Sequence, residues 1–157
     1  MKNIAVTVIV GFITGVVISG ILFDVIKYVG KSFNRVSVSL NISKAEKAYS
    51  NGRFSDSVLI YKKTLPKISL DNKILLAKTR NNLALLILKN IEQEKNISFS
   101  NATENIFKSN EILELNEALN LLNQANDLYI ETDNIELSSQ TTKNIQILEK
   151  ILKENIN

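Results

Sequence analysis

The sequence predicts an all-α protein: one apolar membrane-spanning helix, then a short stack of helical hairpins closed by a capping helix. Three observations predict it. The run from Ile4 to Phe23, IAVTVIVGFITGVVISGILF, carries no charge. The chain after it is nearly free of helix breakers, with one Pro in the whole sequence and, beyond Gly30, only Gly52 among the glycines. Apolar residues there recur at three- and four-residue spacing, and Leu, Lys, Glu, Asn and Ile are abundant, a composition that suits helices better than strands.

The apolar run comes first. A hydrocarbon core about 30 Å thick takes about 20 helical residues at about 1.5 Å each, so residues 1–29 read as a transmembrane anchor with its juxtamembrane end and 30–37 as a linker. Buried strands are the competing reading, but strands rarely pass about ten residues, and Gly11, Gly15 and Gly20 lack the Asn, Asp or Pro neighbours that make turns. A signal peptide cleaved near Val17 and Ser19 is the other rival. Its apolar core should end within about 15 residues, whereas this one continues through Ile21, Leu22 and Phe23.

Only Lys2 precedes the run, while Lys27, Lys31 and Arg35 follow it. Basic residues stay on the cytoplasmic side, so the rest of the chain is expected to face cytoplasm or stroma, with those three cations near anionic headgroups. Gly11, Gly15 and Ser19 form a small-residue row on one helix face, the arrangement that lets two membrane helices approach and gives a possible route to a homodimer.

Residues 38–157 are expected to form one helical domain. From Lys44 the chain reads KAEKAYSNGRFSDSVLIYKKTLPK. Ala45 and Ala48 are small where a neighbouring helix would cross, Asn51 and Gly52 suit a tight turn, and Phe54, Ser57, Tyr61 and Thr64 mark a second helix that Pro66 ends. This pattern resembles the tetratricopeptide repeat, which covers about Val38 to Asn157 and is most specific in the first repeat, about 38–69. In a second repeat, about 72–132, Leu83, Ala84 and Ile87 match the first-helix positions. Ala118, Leu122 and Ala125 repeat the offsets of Ser57, Tyr61 and Thr64. An inserted polar loop, about 92–110, separates the two halves. The segment 135–156, with Leu137, Ile145, Leu148 and Leu152 at helical spacing, reads as the capping helix a solenoid needs. A generic helical bundle is the alternative topology.

Chemistry is sparse. With neither His nor Cys in 157 residues, the common nucleophile–base pairs and nearly all transition-metal sites lack their ligands, and no Gly-rich loop follows a strand. No catalytic residue, metal site or cofactor is expected, and an enzyme is not. The formal net charge is +3, but residues 111–136 hold Glu111, Glu114, Glu117, Asp127, Glu131, Asp133 and Glu136 against no Lys or Arg. Nor is there a basic stripe with aromatic contacts, which argues against nucleic acid as partner. The three Asn-x-Ser/Thr sequons, at Asn41, Asn96 and Asn101, are what chance supplies from 20 Asn and 22 Ser or Thr.

The resemblance implies that the first helices of successive repeats line a concave surface for a partner's peptide or helix. It assigns Glu46, Tyr49 and Ser50 from the first repeat and Lys78, Asn82, Leu85 and Lys89 from the second to that groove. Asn82 would hold a peptide backbone, and Lys78 and Lys89 would attract carboxylates. Proteins of this layout serve as scaffolds or assembly factors for membrane complexes, in settings such as a bacterial plasma membrane or a plastid thylakoid. The expected function is therefore a membrane-anchored protein–protein interaction scaffold. The alternative is a structural subunit of a membrane complex, assembled through its transmembrane helix at Gly11, Gly15 and Ser19.

Overall fold

A computed structural model describes residues 30–99 and 107–155. The predicted span Ile4–Phe23, with Gly11, Gly15 and Ser19, lies outside the described residues. No helix among the described residues is long and apolar enough to cross a membrane. The chain divides into two compact units, Met1–Ser37 and Val38–Asn157. In the first, the described residues 30–37 are helical and exposed, where the sequence suggested a linker; a single Gly at their start is too little to break helix in a run otherwise free of Gly and Pro.

The second unit is all helix and turn among the described residues. Helix α1 (38–50) is followed by α2 (Phe54–Thr64), a 3₁₀ turn (Leu65–Lys67), α3 (Lys73–Lys95), α4 (Ser109–Glu131) and α5 (Ile135–Asn155). Helices adjacent in sequence pack on each other, α2 on α3, α3 on α4 and α4 on α5.

The turn from α1 to α2 follows from its residues. Gly52 adopts φ +71°, which lets the Gly52 and Arg53 amides donate back to the Tyr49 and Ala48 carbonyls at 2.9 Å each and satisfies the last carbonyls of α1. Across the hairpin, Ala45 and Ala48 are buried, so the backbones approach closely enough for the Ser57 hydroxyl to donate to the Ala45 carbonyl at 2.8 Å. That bond removes the cost of a buried, unpaired hydroxyl. Helix α2 ends at Thr64, and Pro66 sits at the start of the 3₁₀ turn, where its missing N–H is not needed.

Helix α3 starts at Asn72, whose side-chain oxygen accepts from the Leu75 amide, and ends at Asn96 in the left-handed conformation, φ 54°. It therefore extends past Glu92, and α4 begins at Ser109, so the interval between them is shorter than the sequence suggested. The reason is local. Glu92, Gln93, Glu94 and Lys95 are good helix formers, and the stop comes only at Asn96, one of the few residue types that tolerate positive φ. On the far side Glu111 accepts from the Lys108 amide at 2.6 Å and pairs with Lys95 at 2.9 Å. Burial raises the Glu111 pKa, but the Lys108 amide and the Lys95 ammonium outweigh it, and the net shift is downward.

The core runs the length of this unit. Its main cluster joins Ala45 and Tyr61 to Leu83, Ala84 and Ile87 of α3, Leu115, Ala118 and Leu122 of α4, and Ile145, Leu148 and Leu152 of α5. Smaller clusters flank it, one built on Val38, Ile68 and Leu76, the other on Ala77, Ala125 and Tyr129. Small residues on α1, α3 and α4 recur where helices meet, so interhelical distance is set by Ala and Ser while Tyr and Leu fill the space between.

Candidate functional site

A cleft of about 390 Å³ is lined by residues of α1, α2 and α3. Its rim comes from α1 through Glu46 and Tyr49, and from α3 through Asn82, Leu85 and Lys89. Those α3 residues are three and four apart, which puts them on one helix face. The floor is Tyr61 of α2 and Leu86 of α3, both buried.

The walls are apolar where they are most accessible. Tyr49 is 50% exposed and Leu85 38%, high values for side chains of that size inside a concavity. The Tyr49 ring is braced by Phe54, with centroids 5.4 Å apart and planes tilted by 41°, a geometry that fixes an aromatic wall at little entropic cost.

Polar groups sit at defined points around this apolar centre. Burial pushes the Tyr61 phenol above its ordinary pKa, a hydrogen bond from Asn82 partly opposes this, and the Glu46 carboxylate raises it further. The phenol is thus neutral, and Asn82 is held by a floor residue while its remaining amide capacity faces the cleft. Lys89 donates to Glu92 at 3.0 Å. That contact raises the Lys89 pKa, with a smaller contribution from the Tyr49 hydroxyl. Glu92 is itself anchored, since its other oxygen accepts from the Phe99 amide at 2.9 Å.

Five of the seven residues assigned from the sequence, Glu46, Tyr49, Asn82, Leu85 and Lys89, therefore line one cleft. The other two lie outside its lining. Ser50 is exposed and donates to the Lys47 carbonyl of its own helix at 3.0 Å, and Lys78 is exposed on α3 one turn before Asn82. The sequence reading missed the floor residue Leu86 and the brace Glu92. It treated Tyr61 only as packing, although an aromatic at that offset, beneath two helices with small residues, was the available signal. Glu92 had none, because its role depends on the backbone turning back after Asn96.

A second, smaller recess of about 200 Å³ is lined by residues of α2, α3 and α4, including Ser55, Lys62, Asn90 and Glu114. Three of its polar side chains are already hydrogen-bonded, while burial raises the pKa of the fourth, the Glu114 carboxyl. Ser55 donates to Asn90 at 2.8 Å, and Lys62 bonds Glu117 at 2.6 Å.

Comparison of the chain with family models, curated protein sequences and solved structures gave no match.

Proposed function

We propose that this protein is a membrane-anchored, tetratricopeptide-like scaffold whose cleft between α1 and α3 binds a peptide or helical segment of a partner protein and holds it at the membrane. One observation carries the reading: a concave surface with an exposed Tyr–Leu centre, a fixed amide at Asn82 and opposite charges at Glu46 and Lys89. A small-molecule pocket would enclose its ligand, whereas this cleft exposes its Tyr49 and Leu85 walls, with Glu46 on one side and Lys89, paired with Glu92, on the other. A docked segment would bury an apolar side chain against Tyr49 and Leu85 while Asn82 meets its backbone. Anchoring of residues 1–29 would raise the local concentration of the cleft toward partners in the same membrane.

The test is crosslinked affinity purification of the full-length protein from membranes, beside the Leu85→Asp and Asn82→Ala variants. A defined set of proteins should be recovered about tenfold less with either variant, the loss expected when a central contact worth about 1.4 kcal/mol is removed. Unchanged recovery of the same proteins would overturn the assignment of the cleft, provided helical content is preserved.

A further inference from the structure

The smaller recess shares no lining residue with the cleft. Ser55 at the start of α2 meets Asn90 late in α3, and Lys95 at the end of α3 meets Glu111 at the start of α4. Helix α3 therefore runs opposite to both neighbours, and α2 and α4 run the same way. Lys62 of α2 and Glu117 of α4 tie the two walls together at 2.6 Å. Between them the surface is apolar, with Ile87 buried, Val58 partly buried and Leu59 52% exposed. Leu113, 70% exposed, stands one turn before Glu117, as Leu59 does before Lys62, so the two leucines share the helix faces that carry the ion pair. Two exposed leucines on parallel helices thus accompany the recess.

Its charges decide what the occupant is. Among the described residues Glu114 makes neither a hydrogen bond nor an ion pair. Three other carboxylates, Glu94, Glu117 and Glu111, act on it against one ammonium, Lys62. That lysine is committed to Glu117, as Lys95 is to Glu111. Glu94 accepts from the Asn90 amide at 2.8 Å, a neutral donor, so Glu94 and Glu114 both lack a cation. Burial and these carboxylates raise the Glu114 pKa, a direction that an incoming cation would reverse. A metal ion needs several converging oxygens, and no group of three carboxylates among the described residues supplies them. Lipid headgroups would bring phosphate against carboxylate, and the same face of a second copy would bring carboxylate against carboxylate. An organic cation on an apolar stem meets both features, its methylenes on Val58, Leu59 and Ile87 and its head at Glu114.

We propose that the recess between α2 and α4 binds an arginine or lysine side chain of a partner protein, with apolar residues of the same segment lying against Leu59 and Leu113. Its volume of about 200 Å³ is below the roughly 300 Å³ of sites that house small ligands. It therefore takes one side chain of a longer segment. Arginine suits it better than lysine, since a guanidinium is the more weakly hydrated cation and its planar fork matches a partly buried carboxylate. The inference does not rest on the cleft, because the two surfaces share no residue. A protein with both could hold two segments, of one partner or of two.

The absence of Cys from the sequence makes disulfide tethering a direct test. Full-length protein carrying Leu113→Cys is equilibrated with the peptide acetyl-Cys-Ala-Leu-Arg-Leu-amide under increasing mercaptoethanol, which competes by thiol exchange. The comparison peptide has citrulline for arginine, the same shape without the charge. The arginine peptide should resist about tenfold more mercaptoethanol than the citrulline peptide, as a charge-assisted hydrogen bond predicts. Glu114→Gln should erase that preference, whereas Leu85→Asp in the cleft should leave it unchanged. Equal retention of the two peptides by the Leu113→Cys chain overturns the site. So does an equal preference at Ile135→Cys, an exposed position beside Glu136, which would make the effect general charge attraction. If acetyl-Cys-Ala-Gly-Arg-Gly-amide is held as well as the leucine peptide, any small cation suffices and the protein segment is overturned. Disulfides between two Leu113→Cys chains, formed in preference to peptide adducts, would give the recess to a second copy instead. Glu114→Gln should keep or raise the urea midpoint of the protein; a lowered midpoint would show that the carboxyl serves the fold and overturn its role in binding.

Discussion

Tyr61 links the core to the cleft through one side chain. Its ring fills the space left by Ala45, its hydroxyl takes a hydrogen bond from Asn82, and it is 2% exposed. Burial raises its pKa above the ordinary 10.0, and burial does the same for Tyr129. Folded protein therefore keeps these phenolic protons to higher pH than the unfolded chain does. The associated stability is complete below pH about 10 and declines as pH rises through the folded-state values. Tyr61→Phe should reduce this decline, measured as the difference in urea unfolding free energy between pH 8 and pH 10.5, and at pH 8 it should cost about 1 kcal/mol for the lost hydrogen bond. Tyr61→Ala should cost about 3 to 5 kcal/mol, because a cavity under two helices cannot collapse against Ala45. An equal decline with pH in wild type and Tyr61→Phe would show that the buried phenol is not linked to stability. The rim of the cleft was legible because exposed residues three and four apart share a face whatever lies beneath. The floor was not, since whether Leu86 is buried below the cleft or elsewhere depends on where α1 and α2 pack.

Two turns of the same construction join helices at opposite ends of the domain. Between α1 and α2 the left-handed residue is Gly52, and between α4 and α5 it is Asp133 at φ 58°. The Asn134 amide returns to the Tyr129 carbonyl at 2.8 Å just as Arg53 returns to Ala48. After each turn a serine bonds back to the preceding helix, Ser57 to the Ala45 carbonyl and Ser138 to the Asn126 side chain, both at 2.8 Å. The first turn was readable from Asn51–Gly52. The second was readable as a boundary, between a repeat ending at about 132 and a helix beginning at about 135, but its left-handed residue was not, because Thr132–Asp133–Asn134 carries no glycine and Asp enters the left-handed region only at some cost. Substitution should expose the asymmetry. No atom lies within 4 Å of a β-carbon at Gly52, so Gly52→Ala should cost about 1 kcal/mol from backbone strain alone. Asp133→Gly should stabilise by about 0.5 kcal/mol, since glycine is at ease where aspartate is strained. Chemical denaturation of both variants measures the pair, and loss of stability in Asp133→Gly would mean that the aspartate side chain contributes more than its backbone costs.

At the scale of the whole chain, the division after Ser37 separates two kinds of apolar residue. Every buried hydrophobic side chain of the described structure lies at or after Val38, whereas Phe33 and Val36, ahead of it, are exposed. The second unit thus carries its own core, a main cluster with two smaller ones that share Leu128, and its about 120 residues are of ordinary domain size. A fragment of residues 38–157 should therefore fold alone. Its circular dichroism should be that of an all-helical protein, and its denaturant unfolding should be a single cooperative transition. The fragment should also keep the cleft's partners. Capture in solution should be weaker than in membranes by the lost effective concentration. A fragment that unfolds without cooperativity would show that residues before Val38 contribute to the fold.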